Sequence, residues 1–97
     1  MRYELHPEAA LEHEKQVAYF ERRSPGLGQR YHEAFRSAAL RACEGPRRYR
    51  VISPFGIRRV PFHGFLFAVI YRERTDFIQI LAVAPHRKRP RYWASRL

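Results

Sequence analysis

Ninety-seven residues, 45% hydrophobic and 14% aromatic, make one domain with enough apolar side chain for a core that needs no staple. The lone cysteine, Cys43, excludes an intrachain disulfide and a cysteine zinc site, and as a small helix residue it is expected to be buried. No apolar run reaches the ~18–20 residues of a membrane span, and Met1-Arg2-Tyr3-Glu4 lacks the apolar stretch of a secretory signal. A cytoplasmic, single-domain protein over residues 1–97 with no membrane contact is the expectation.

The net charge of +10 is unevenly distributed. Residues 1–45 carry seven positive and seven negative side chains, whereas residues 46–97 carry twelve positive and only two negative, Glu73 and Asp76. The whole excess therefore lies in the second half. Such a field steers polyanions, either nucleic acid or a strongly acidic protein segment, toward one surface. Only Lys15 and Lys88 are lysine, so nearly all the cations are planar guanidiniums suited to phosphate and carboxylate.

Arg2 to Leu5 alternates in the manner of a short half-buried strand, which His6-Pro7 ends. Pro7 followed by Glu8 opens a helix expected to run to Arg23. Its inner side carries Ala10, Val17 and Phe20 with Ala9, His13 and Gln16 beside them, and Glu8, Glu12, Lys15 and Arg22 form a solvated outer side. Ser24-Pro25-Gly26 breaks the chain. From Leu27 the stripe Leu27, Tyr31, Ala34, Phe35, Ala38, Ala42 predicts a second helix, ended by Gly45-Pro46. Its small residues allow close approach, so the two helices form an antiparallel hairpin with Tyr31 and Phe35 as the larger contacts.

Beyond Pro46 the period becomes two. Phe55 to Phe62, Phe65 to Arg72 and Phe77 to Ala84 predict a three-stranded antiparallel meander, giving a sheet about four strands wide with the first strand. The middle strand is apolar on both faces and belongs at the centre. One face is covered by the helical hairpin, and the other needs the C-terminal segment or a partner. That segment, Pro85 to Leu97, is densely basic, carries Tyr92 and Trp93, and is expected to end in a short helix from Pro90 or a tail. The fold class is α+β.

Most catalytic signatures are missing: there is no phosphate-cradling glycine loop, no His-x-x-x-His metal pair and no nucleophile elbow, so no cofactor or metal is expected. The remaining Arg, His and Tyr side chains suit metal-independent RNA cleavage, in which guanidiniums stabilise the phosphorane and a histidine or phenol moves protons. His63, in a His-Gly pair, reads as a turn residue. His86 lies at a strand end among arginines that can tune its pKa. Tyr92 and Trp93 suit either packing on an open sheet face or stacking on a base.

The order strand, two helices, arginine-bearing meander and basic aromatic tail resembles the RelE/ParE superfamily of type II toxin-antitoxin toxins. Three stretches carry the resemblance: Tyr19 to Tyr31 at the helix junction, Arg58-Arg59-Val60-Pro61-Phe62 with Phe67 to Tyr71 in the sheet, and Ile80 to Arg96 at the close. The resemblance implies a toxin silenced by a cognate antitoxin whose acidic arm folds across it. It also implies a target that is either the translating ribosome with its mRNA or DNA gyrase.

For an endoribonuclease it points to His86, Arg59, Arg87 and Tyr92 as the catalytic set. For target or nucleic-acid binding the candidates are Arg58, Arg59, Arg87, Lys88, Arg89, Arg91, Trp93 and Arg96. Arg47, Arg48 and Arg50 stand where RNase-type members carry lysine or glutamate, and arginine, with a pKa above ~12, cannot serve as the base. Only His86 or a tyrosine remains for that role. The sequence thus favours ParE-like inhibition of gyrase over RelE-like cleavage of ribosome-bound mRNA.

Overall fold

A computed structural model describes Met1–Leu97. Strand β1 (Arg2–Leu5) leads into helices α1 (Pro7–Arg23) and α2 (Leu27–Glu44), followed by strands β2 (Arg50–Val51), β3 (Arg58–Pro61), β4 (Phe67–Glu73) and β5 (Phe77–Pro85) and a final 3₁₀ turn, Ala94–Arg96. The sheet has five strands in the order β1-β5-β4-β3-β2, parallel between β1 and β5 and antiparallel elsewhere. The expected sheet of about four strands is corrected to five. The added strand is β2, which carries no apolar alternation and is defined by its pairing, Arg50 with Arg59 and Val51 with Arg58.

Local chemistry accounts for the helix ends. His6 caps α1 through Nδ1, which accepts from the Glu8 amide at 3.1 Å, and Pro7 occupies the first turn where an amide would be unpaired. At the hairpin turn the Glu21 carboxylate accepts from the Gly26 and Gly28 amides at 3.0–3.1 Å and so takes up the free donors that open α2. Gly28 is required there, because a Cβ would stand 2.7 Å from the Val17 carbonyl oxygen. With Ala9, Ala38, Ala39 and Ala42 fully buried, the helices approach closely, as the small-residue stripe predicts.

The main core lies between hairpin and sheet. Tyr31, Phe35, Val60, Val69, Tyr71, Ile78 and Ile80 form its centre, and Cys43 is buried among them. The Tyr71 hydroxyl donates to the Pro46 carbonyl at 2.8 Å, and burial pushes its pKa up to about 12. On the opposite face Ile57, Ala68, Ile70, Leu81 and Ala82 form a second core, closed by Trp93. The middle strand is therefore central and apolar on both sides, and the chain's own tail covers the second face.

Two further boundaries move. The strand expected from Phe55 begins only at Arg58, because Ile52 donates to the Ile57 carbonyl at 2.8 Å and Gly56, at φ 74°, turns the chain between them. The expected helix from Pro90 is reduced to the 3₁₀ turn, with Arg91 at φ 61° reversing the backbone ahead of it.

Candidate anion-binding cleft

A cleft of ≈ 380 Å³ opens on the tail side of the sheet. The β2–β3 hairpin supplies Arg50, Ile52 and Arg59, β4 supplies Ile70, and the end of β5 supplies Ala84 and Pro85. The tail from His86 to Trp93 closes it, with Lys88, Arg89, Arg91 and Tyr92 at the wall. Five basic side chains, Arg50, Arg59, Lys88, Arg89 and Arg91, line it and no carboxylate does. Arg50 and Arg59 are direct cross-strand partners, a placement that is unfavourable for like charges unless an anion lies between them. Neither guanidinium makes an ion pair or a hydrogen bond within the chain.

Of the residues singled out from the sequence, Arg59, His86, Lys88, Arg89, Arg91, Tyr92 and Trp93 border this cleft. Arg87 does not: it is exposed on the tail turn away from the lining. Arg58 is also outside it, with Nη1 donating to the carbonyls of Tyr49 at 2.8 Å and Arg47 at 3.3 Å, and so braces the chain that leads into β2. Trp93 is only 3% exposed, so its ring is core and is withdrawn from the binding set. Arg96 is withdrawn too, because its guanidinium is bound to the Glu12 carboxylate at 2.9–3.0 Å and to the Leu81 carbonyl at 2.9 Å.

Tyr92 is occupied as well. Lys88 Nζ and Arg96 Cζ each stand 5.2 Å from its ring centroid, so cations of the chain itself already use its π surface. Burial, and then the neighbouring Glu12, hold its phenol well above the usual tyrosine range, which keeps it protonated. His86 is exposed, fixed by its amide to the Leu66 carbonyl at 3.0 Å, and faces no carboxylate in the lining.

Sequence reading missed Arg50 as a cleft residue. A two-residue strand leaves no periodic trace, and only its pairing with Arg59 turns Arg50 into the site. Glu12 was also misread: its carboxylate accepts from the Val83 amide at 3.1 Å as well as from Arg96, so it joins α1 to the sheet and is no part of a solvated face.

The chain is a basic α+β fold with a helical hairpin on one sheet face and a carboxylate-free cationic cleft on the other. Residues 3–90 match the family model described as the ParE toxin of type II toxin-antitoxin system, parDE, and the chain belongs to that family. The fold is shared with a solved chain from the chromosomal ParDE TA system of P. aeruginosa, with a TM-score of 0.76 and 15% identity over 88% of this chain and 95% of that one. No curated protein sequence matches significantly. No helix is long and apolar enough to cross a membrane.

Proposed function

We propose that this toxin acts by binding and not by cutting, inhibiting DNA gyrase in the ParE manner while an acidic antitoxin restrains it. The carrying observation is the cleft's composition: five cations, one exposed imidazole and no carboxylate. Cleavage of a phosphodiester needs both a base and an acid within reach of the reacting atoms. The Tyr92 hydroxyl is buried, and its raised pKa makes it a weak acid as well as an unavailable base, which leaves His86 with no second group to work against. Such a lining binds anions well and moves protons poorly.

An acidic antitoxin arm suits the same surface. The structurally similar P. aeruginosa chain comes from a ParDE system. At the rim here, the His86 amide donates to the carbonyl of Leu66, and the exposed Leu66 side chain offers an apolar anchor beside the cations.

The test is to add the purified chain to a gyrase supercoiling assay and, separately, to a translating extract whose mRNA ends are mapped by primer extension with a ribosome-free control. Loss of supercoiling with intact message is the expected result. Cuts that need translating ribosomes and vanish in His86→Gln would overturn the proposal in favour of an endoribonuclease.

A further inference from the structure

Strand β1 ends the sheet, and its outer edge is bare. The His6 amide donates to the Ile80 carbonyl at 2.8 Å, so alternation turns the backbone groups of Arg2 and Glu4 toward β5 and those of Tyr3 and Leu5 outward. Nothing in the chain takes up the outward groups. Edges of this kind are usually guarded by like charges, a proline or a bulge. β1 instead carries one charge of each sign, Arg2 and Glu4, exposed on one face and bonded to each other.

Laid antiparallel against a copy of itself about a two-fold axis through Tyr3, this strand is self-complementary. Tyr3 meets Tyr3 of the second copy and the two exchange both N–H···O bonds, while each Arg2 stands opposite the other copy's Glu4 in the closely spaced, non-hydrogen-bonded register. The charge map favours this edge over the other. β1 belongs to the neutral half of the chain, whereas β2 and β3, which bring Arg50 and Arg59, lie at the far side of the sheet. Joining two copies through β1 sets their cationic ends as far apart as the sheet allows.

We infer that β1 is a self-association edge, at which a second copy of this chain extends the sheet across a two-fold axis. Four residues of edge bury far less than the ~1,200 Å² of a stable interface, so the dimer forms in a concentration-dependent way. The inference is independent of what the cleft binds.

Sedimentation velocity on the full chain, over a micromolar to submillimolar series, tests it. The mass should rise from 11.6 kDa toward twice that value. Arg2→Glu and Glu4→Arg each place like charges opposite one another at two symmetry-related positions and should weaken association by about ten-fold. The doubly reversed Arg2→Glu/Glu4→Arg chain should recover it. A mass constant across the series, single variants that associate as the parent does, or a double variant that fails to recover would each overturn the inference. Hydrogen exchange on the unaltered chain gives a reading free of any folding defect: the Tyr3 and Leu5 amides should gain protection as concentration rises, and unchanged exchange there would also overturn it.

Discussion

The carboxylate of Glu12 and the guanidinium of Arg96, 84 residues apart in sequence, meet in a forked pair at 2.9 and 3.0 Å that also satisfies the backbone of β5. Glu12 Oε1 accepts from the Val83 amide, and Arg96 Nη1 donates to the Leu81 carbonyl. The strand needs this help. β1 stops at Leu5, and the pairing of β5 with β4 slips at Ile70/Tyr71, where Leu81 is the extra residue. One ion pair thus binds the first helix, the last strand and the tail.

Arg96→Met should therefore cost about 2 kcal/mol of stability, between the values for exposed and fully buried pairs, because Arg96 is 9% and Glu12 24% exposed. Chemical denaturation checks it. The freed tail should also weaken binding in the cleft, measured under conditions in which the variant remains folded.

Acid should loosen the hairpin. His13 Nε2 and His32 Nδ1 are 2.9 Å apart between α1 and α2, and His13 is stacked on Tyr31 and packs at a tilt against Phe35. Burial, and then His32, lower the pKa of His13 from 6.5 to about 4. The unfolded chain takes up this proton first, so the stabilisation is complete above pH 6.5 and is lost as pH falls toward 4. Thermal unfolding at stepped pH should show that slope, and His13→Leu should flatten it within this window.

Arg50→Ala and Arg59→Ala should each weaken binding of an anionic partner and lower its salt dependence while leaving stability nearly unchanged. Arg58→Ala should do the reverse, because its guanidinium holds the carbonyls of Arg47 and Tyr49. Arg87→Ala, outside the cleft, should have the smaller effect on binding. Calorimetric titration of each variant with the acidic antitoxin separates these outcomes. Affinity for the unaltered chain should fall only partly with salt, since contacts to Ile52 in the lining and to exposed Leu66 are apolar and ions do not screen them.

Gly28→Ala should destabilise the chain by ~1–3 kcal/mol, because the new Cβ meets the Val17 carbonyl oxygen, which belongs to α1 backbone and cannot rotate away. A melting curve suffices to check it.

Local signals accounted for what was legible. Pro7, the Ser24-Pro25-Gly26 break and Gly45-Pro46 delimit both helices, and the two-faced apolar pattern of β4 puts it in the middle of the sheet. What escaped was set by partners distant in sequence. Nothing near Arg50 announces a strand, because Arg59 defines it. Nothing near Glu12 distinguishes it from Glu8 or Glu14, because Arg96 and Val83 give it its role. The site was legible where it is contiguous, from His86 to Tyr92, and less so where it depends on register or on the direction in which Arg58 and Arg87 leave the chain.

Trp93 is the only tryptophan, and it lies where the tail meets the second sheet face, 3% exposed. Its fluorescence is consequently a built-in optical gauge of that junction. Emission from an indole buried among Ile57, Ile70 and Leu81 shifts to the red when water reaches it, so detachment of the cleft's wall can be followed in real time without a label.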